Sequence, residues 1–352
     1  MADARSWPTV LGQLVEGVDL TEADTAWAMD QVMSGTATPA QVGAFAVALR
    51  AKGETPAEVS GMAEAMLAHS RRIDVGQRAV DIVGTGGDRS GTVNISTMSA
   101  IVTAAAGVPV VKHGNRAASS KCGTADVLEA LGVAIDLPPA GVLRSVAELG
   151  IGFCFAPVFH PAFRVTGGPR REIGIPTAFN LLGPLTNPAQ PAAGLIGCAN
   201  PRMAPLLAEV FARRGASALV VRGDDGLDEI TTTTTTTAWV VRDGAVRVDR
   251  IDPAALGVPG SAPEDLLGGD AAVNAEVVRE LVAGKPGPVR DAVLVNAAGA
   301  IAAFRGFTDD LTADLVGGLA EAGRAIDSGA AADLLSRWVQ LSTKLRTELA
   351  GS

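Results

Sequence analysis

The chain contains no tyrosine, and its nine phenylalanines and four tryptophans make up only 4% of its 352 residues. Large aromatic side chains therefore cannot fill its interior, which has to be built mainly from Ala, Val, Leu and Ile. Such a core suits helices packed over a parallel sheet better than an aromatic-rich sandwich. Cysteine is scarce as well. Cys122, Cys154 and Cys198 stand in no Cys-X-X-Cys spacing and leave an odd count, which argues against a disulfide scaffold or a zinc site and suits a reducing compartment. Residues Met1–Gly12 have neither the basic start nor the apolar run of a secretory signal. No stretch of about 20 residues is apolar enough to span a bilayer. The expectation is a soluble, cytoplasmic protein with no membrane contact. Positive charge is also in deficit, with 29 Lys and Arg against 38 Asp and Glu, a net −9. A dispersed acidic surface disfavours nucleic acid and anionic lipid. It leaves room for a small anionic substrate held by a few local cations and backbone amides.

What is present is ample apolar material, 47% of the residues, in a chain longer than one ordinary domain. Residues 1–73 read as helices with clear start signals. Thr38-Pro39-Ala40-Gln41 offers a capping hydroxyl, a proline at the first helical position and a Gln three residues on. Val42, Phe45, Ala46 and Leu49 then recur at helical spacing, and Gly53 is a stop. Thr55-Pro56-Ala57-Glu58 repeats the box ahead of Val59, Met62 and Met66, and Thr21–Asp24 opens an earlier helix. His69, at a helix end, reads as structural.

From residue 77 the pattern alternates between strand and helix. Strands are expected at Ala79–Val83, Val108–Val111, Ile151–Phe155, Ala218–Val221 and Ala292–Val295. Helices are expected at Ser96–Ala106, Thr124–Leu131, Gly141–Leu149, Ala271–Ala283, Thr312–Ser328 and Ala330–Leu349. Strands separated by helices imply right-handed crossovers and a parallel sheet. Trp239–Val241 and Val246–Val248 flank a hairpin turn at Arg242–Ala245. Thr231–Thr237 is expected to be extended, because threonine is β-branched. Gly167, Gly168 and Pro169 are expected to break any helix in the irregular segment 161–182.

Four clusters carry chemistry. Gly84-Thr85-Gly86-Gly87-Asp88 follows a strand, and its glycines allow backbone N–H groups to close around an anion. It is neither a Walker loop nor a dinucleotide fingerprint, because Arg89 stands where a third glycine belongs. Asn94, Ser96 and Thr97 open the next helix, where free N–H groups favour phosphate; plain capping is the alternative. The second cluster, Lys112-His113-Gly114-Asn115-Arg116 with Ser119 and Ser120, follows an apolar strand, and strand ends of parallel sheets are where ligands bind. Asp228-Glu229 can hold Mg²⁺ between carboxylate oxygens, although such pairs also mark acidic surface turns. His160 and Arg170 form a candidate cationic clamp for a carboxylate.

In order and spacing, Gly-Thr-Gly-Gly-Asp (84–88), Asn-Ile-Ser-Thr (94–97), Lys-His-Gly-Asn-Arg (112–116) and Asn-Leu-Leu-Gly-Pro-Leu-Thr-Asn-Pro (180–188) resemble the anthranilate phosphoribosyltransferase family. The resemblance spans essentially the whole chain. It implies an α/β fold of the nucleoside phosphorylase and phosphoribosyltransferase type. A small all-helical domain, residues 1–73 completed by about 161–182, would pack on a larger α/β domain, 77–158 and 188–352, with a mainly parallel central sheet. It implies transfer of a 5-phosphoribosyl group from phosphoribosyl pyrophosphate to anthranilate in tryptophan biosynthesis, by a homodimer. By similarity, Gly84, Thr85, Gly86, Gly87, Asp88, Thr92, Asn94, Ser96, Thr97, Lys112, Ser119 and Thr124 would surround phosphoribosyl pyrophosphate. Gly84, His113, Asn115, His160, Arg170 and Gly183 would surround anthranilate. Ser96, Asp228 and Glu229 would hold a pair of Mg²⁺ ions, and Lys112 and Arg170 would stabilise charge without any covalent nucleophile.

Three positions depart from the family pattern: Cys122 in a serine-rich loop, Phe163, and Gly167-Gly168-Pro169 just before Arg170. Other readings are a pyrimidine nucleoside phosphorylase, which shares the architecture but needs its own phosphate motifs, and the same transfer to another aromatic amine. A non-catalytic nucleic-acid binder is a third, disfavoured by the net charge.

Overall fold

The computed structural model describes residues 5–117 and 120–350, so Ser119 lies outside the described residues. Four helices lead: α1 (Trp7–Val15), α2 (Glu22–Met33), α3 (Pro39–Lys52) and α4 (Pro56–Ala68). Thr21, Thr38 and Thr55 each close a reciprocal capping box, with Asp24, Gln41 and Glu58, as their spacing suggests. The Glu58 carboxylate is fully buried and accepts the Leu20 N–H, the Thr55 N–H and the Lys52 ammonium, so one side chain joins three segments. His69 pairs with Asp30 at 2.7 Å, a structural contact. Helices α2 and α4 touch at Gly61, where a Cβ would lie 2.1 Å from the Glu22 carbonyl oxygen.

The remainder alternates. In chain order come β1 (Val80–Gly84), α5 (Ile95–Ala105), β2 (Val110–Gly114), α6 (Thr124–Ala130), α7 (Pro139–Leu149), β3 (Ile151–Phe155) and α8 (Ala156–Phe159). After them come α9 (Gly167–Ile173), α10 (Leu182–Leu185), β4 (Ala193–Gly197), α11 (Ala204–Arg213), β5 (Ser217–Gly223), β6 (Thr236–Arg242) and β7 (Ala245–Ile251). The chain closes with α12 (Ala271–Val282), α13 (Pro288–Arg305), α14 (Leu311–Asp327) and α15 (Ala330–Leu349). The seven strands run in the order β3-β2-β1-β4-β5-β6-β7. The first five are parallel, and β6 and β7 are added antiparallel. Asp243 and Gly244, both at positive φ, make the tight turn between β6 and β7.

One face of the sheet is covered by α5, α12, α13 and α14 over an Ala/Val/Ile-rich core. The other packs on α11 and the N-terminal helices, with Phe45, Met29, Phe179 and Leu182 in one continuous cluster with Ile196 and Val220. Segment 161–185 lies across the helical unit: α9 and the turn Ala178–Asn180 meet α3, and α10 meets α4. Among the described residues no helix is long and apolar enough to cross a membrane.

Four expectations are corrected. Ala292–Val295 is not a strand but the second turn of α13; a short apolar run carries no period that separates strand from buried helix, and this helix is buried along most of its length. Gly167–Pro169 does not break a helix but opens α9, because Pro169 falls in the first turn, where no N–H is needed. Of the threonine run only Thr236 and Thr237 are in a strand. Thr231 and Thr233 instead spend their hydroxyls on Asp225, a local bond that replaces the ladder. Finally, β2 starts at Val110, so Lys112 and His113 lie inside the strand rather than after it.

The close approach at Gly61 makes a direct test. Gly61→Ala should lower the urea midpoint by an amount equal to about 1–3 kcal/mol, through forced separation of α2 and α4. An unchanged midpoint would show that this approach does not constrain the bundle.

Candidate active site

From β1 the chain crosses to β2 on one side and later returns to β4 on the other, so β1 and β4 are adjacent strands whose crossovers diverge. Ligands of open parallel sheets bind beyond the carboxyl ends at such a switch point. Here Gly84 and Gly197 are register partners at those ends. The loop after β5 folds back over them. Gly86 donates its N–H to Asp228 Oδ2 at 2.7 Å, and Thr85 donates its N–H to the Gly197 carbonyl at 2.9 Å. A Cβ on Gly197 would stand 1.5 Å from the Asp228 carbonyl oxygen, so only glycine admits this loop. The absence of a side chain also explains why Ala-Gly-Leu-Ile-Gly at 193–197, a central strand, shows little strand signal in the sequence.

Asp228 and Glu229 are half-buried in this seat rather than displayed on an open surface turn. Glu229 Oε1 accepts the Ser96 N–H at 3.0 Å, while its Oε2 is buried with no partner. Burial, then the neighbouring Asp88, raises the Asp228 carboxyl to about 6, and burial with the charges of Asp228 and Asp88 pushes Glu229 well above the usual range. Lys112 is 2% exposed. Its ammonium donates to the Ile82 carbonyl and to Ser96 Oγ, the latter at 3.3 Å. Burial lowers it to about 8, held up by Asp81, Glu229 and Asp228. An excess of buried negative charge with a free carboxylate oxygen suits a divalent cation. Among the described residues no group of three or more His, Cys, Asp or Glu side chains is arranged to hold an ion, so one bound here would complete its shell with water and substrate oxygens.

Around this centre stand the remaining phosphate candidates. Gly86 and Gly87 take positive φ, a conformation that glycine adopts without strain. Asp88 accepts from Ser90 at 2.5 Å, and Thr92 pairs with Leu267 in an isolated antiparallel bridge. Thr97 and Thr124 meet through their hydroxyls at 3.3 Å, joining α5 to α6. Asn94 occupies the N-cap of α5 but makes no capping bond, so plain capping does not describe it. Its Nδ2 donates to the Cys122 carbonyl at 3.1 Å and its Oδ1 accepts from Asn274 at 2.8 Å.

The acceptor candidates gather on the other side of β2. His113 Nδ1 lies 3.0 Å from the Gly183 carbonyl, and His160 Nε2 lies 2.8 Å from the Thr186 carbonyl. A carbonyl only accepts, so those nitrogens carry the protons. His113 Nε2 and His160 Nδ1 are left buried and unpartnered, with the rings 5.2 Å apart. Burial lowers His113 to about 3 and His160 to about 4, so both are neutral at pH 7. His160 therefore supplies no positive charge, which corrects the cationic clamp: only Arg170 brings charge. The Arg170 guanidinium lies 5.5 Å from the Phe163 ring centre and 6.0 Å from that of Phe179.

Arg116 does not join the site. Its guanidinium is held at the surface by Asp126 and Glu129, each at 2.9 Å. Asn115 spends its side-chain oxygen on the Arg116 N–H at 2.8 Å. The three thiols are buried, and burial raises each of them, Cys122 and Cys198 to about 11.

Two buried amides brace the site from behind, and neither was singled out by its role in the sequence. Asn296 of α13 clasps Ile230, next to Glu229, accepting its N–H at 2.9 Å and donating to its carbonyl at 2.8 Å. Asn187 donates to Asp81 at 2.8 Å and to the Val111 carbonyl at 2.7 Å. The signal for Asn296 was a lone polar residue in an apolar stretch, which has meaning only once its distant partner is known, whereas Asn187 stands within the 180–188 segment.

Residues 8–70 match the glycosyl transferase family, helical bundle domain, and residues 76–332 match the glycosyl transferase family, a/b domain. The chain is 72% identical over 345 residues to the anthranilate phosphoribosyltransferase of Saccharopolyspora erythraea, covering 98% of each. It is 62% identical over 345 residues to that of Rhodococcus jostii, covering 98% of this chain and 95% of the relative. Among solved structures, the anthranilate phosphoribosyltransferase of Thermus thermophilus superposes with a TM-score of 0.89 at 40% identity, covering 95% of this chain and 99% of that one. The Saccharomyces cerevisiae enzyme in complex with phosphoribosyl pyrophosphate and Mg gives 0.87 at 26% identity, covering 96% of this chain and 98% of that one.

The raised Asp228 carboxyl yields a pH test. A group protonated more readily when folded contributes stability that is complete below the ordinary carboxylate pKa and lost as the pH rises through about 6. Asp228→Asn, fixed in the neutral form, should gain on the wild type by up to about 3 kcal/mol between about pH 4 and 7. The check is urea unfolding of metal-free protein across that range. A difference that stays constant with pH would mean that Asp228 ionises without hindrance in the fold.

Proposed function

The chain belongs to the anthranilate phosphoribosyltransferase family and moves the 5-phosphoribosyl group of phosphoribosyl pyrophosphate onto anthranilate; we propose that it divides this reaction between the two sides of β2. The observation that supports the division is the alternation of Lys112 and His113 along that strand, Lys112 reaching Ser96 and His113 reaching Gly183.

On the first side, the glycine loop at Gly86 and Gly87, the side chains of Asn94, Ser96 and Thr97 at the start of α5, and the Lys112 ammonium receive phosphoribosyl pyrophosphate. Gly84, Thr85, Asp88, Thr92, Thr124 and Ser119 complete its surroundings. Asp228 and Glu229 would hold one Mg²⁺, and Ser96 would lie near a second. Magnesium supplies positive charge that screens the diphosphate as it leaves. The yeast relative was solved with phosphoribosyl pyrophosphate and Mg.

On the second side, Arg170 fits the carboxylate of anthranilate in bidentate geometry. Phe163 and Phe179 fix the guanidinium plane, and Asn115, His113, His160 and Gly183 line the acceptor's approach. Displacement then breaks the C1–O bond, with its electron pair leaving on pyrophosphate, while the amine lone pair forms C1–N and the nitrogen sheds a proton. Attack opposite the leaving group inverts C1, and the protein acts by positioning and charge rather than by a covalent intermediate. A product of retained configuration would overturn this step.

The helical unit, residues 1–73 with about 161–182, carries Arg170 and closes the acceptor side against the α/β unit, 77–158 and 188–352. The enzyme works as a cytoplasmic homodimer in tryptophan biosynthesis.

The primary test is loss of anthranilate fluorescence on adding phosphoribosyl pyrophosphate, expected only with Mg²⁺ present. No loss with folded protein would turn the search to other aromatic amines. For the division of labour, Lys112→Ala should raise the KM for phosphoribosyl pyrophosphate roughly 10- to 100-fold with little effect on that for anthranilate, and Arg170→Ala should do the reverse. Equal rises in both constants for both variants would refute it. Asp228→Asn should need more Mg²⁺ for half-maximal rate, and an unchanged titration would remove Asp228 from the metal site.

A further inference from the structure

We propose that Asn274 is a positioning residue for the phosphoribosyl pyrophosphate site, fixing which way the Asn94 side chain faces. The inference rests on the reading that Asn94 meets that substrate. Asn274 lies in the first turn of α12, is 2% exposed, and is 180 residues from Asn94 in sequence. Its Oδ1 accepts the Gly269 N–H at 2.7 Å, and its Nδ2 donates to Asn94 Oδ1 at 2.8 Å. Asn94 Nδ2 then donates to the Cys122 carbonyl at 3.1 Å.

The polarity of this relay is fixed from both ends. A backbone N–H can only donate, so Asn274 turns its oxygen to Gly269 and its nitrogen to Asn94. A backbone carbonyl can only accept, so Asn94 turns its nitrogen to Cys122. The two requirements agree, and no amide in the relay can flip without leaving a buried group unpaired. Asn94 retains one Nδ2 hydrogen beyond its bond to Cys122, and its side chain makes no capping bond to α5, so the amide is held by the relay alone. The anchor is itself tied to that loop. Val93 donates its N–H to the Leu266 carbonyl, and Gly268 donates its N–H to the Gly91 carbonyl, each at 2.9 Å. Asn274 thus joins the strap 266–269, the loop 85–93 and the segment at Cys122, three pieces that are far apart in the chain.

Asn274→Asp keeps the size and still accepts from Gly269 but cannot donate to Asn94. It should raise the KM for phosphoribosyl pyrophosphate about tenfold, with kcat and the anthranilate KM changed less than about twofold. In an Asn94→Ala background the same substitution should add less than about twofold, because the relay's target is gone. An equal rise in both backgrounds overturns the proposal, as does a loss of kcat and both affinities in parallel with Tm, which marks a merely structural role. If Asn94→Ala alone leaves the KM unchanged, the reading of Asn94 as a substrate contact has failed and the proposal falls with it. If Asn94→Ala raises it and Asn274→Asp does not, only the positioning role is lost. Asn274→Leu, of similar branching and uncharged, carries the same comparison should the aspartate variant fold poorly.

Discussion

The seating of the 224–230 loop on Gly84 and Gly197 governs the arrangement of the centre. With the Asp228 carbonyl packed where a Cβ of Gly197 would stand, the backbone has no latitude, and the carboxylates of Asp228 and Glu229 arrive at fixed places. Each then organises a neighbour: Asp228 takes the amide of Gly86 and sets the glycine loop, and Glu229 takes the amide of Ser96 and sets the mouth of α5. Asn296 holds the following residue from behind, so the loop is gripped on both sides. The glycine loop and the start of α5 are thus held in place by carboxylates, which is the kind of preorganisation that a charge-stabilising enzyme needs.

That arrangement brings like charges close together. Lys112 is buried and Asp228 and Glu229 are half-buried, and loss of solvent opposes the charged form of each. Lys112 is a partial counterweight, and the unpartnered Glu229 Oε2 shows that the balance is incomplete. The other side of β2 carries two neutral imidazoles, Asp81, which accepts the His113 N–H and an Asn187 bond, and one cation beside aromatic rings. Neighbouring residues of one strand therefore face two different environments, Lys112 toward paired carboxylates and His113 toward the neutral imidazole of His160.

Legibility in the sequence followed the range of the interaction. The capping boxes at Thr38 and Thr55 are written within four residues, and both helices begin there. Glycines and polar residues at the ends of β1 and β2 marked the site for the same local reason. The central strand β4 was invisible because Gly197 serves the Asp228 loop and Gly194 adds nothing to strand propensity. Buried α13 reads as a strand at Ala292–Val295 because a helix apolar on most sides has no amphipathic period. Asn274 and Asn296 could not be singled out, since their partners lie 180 and 66 residues away. The neutrality of His160 is likewise a property of its burial and not of its residue type.

The three buried thiols bear on how such an enzyme fares in a stressed cell. A sulfur must be both ionised and reachable to meet peroxide or an electrophile, and Cys122, Cys154 and Cys198 are neither. Cys122 lends its backbone carbonyl to the relay through Asn94, yet keeps its sulfur out of chemistry. The catalyst is consequently deaf to the thiol redox state of its surroundings: oxidative signals that switch other metabolic enzymes have no handle on this one, and cysteine-directed covalent drugs would pass it by.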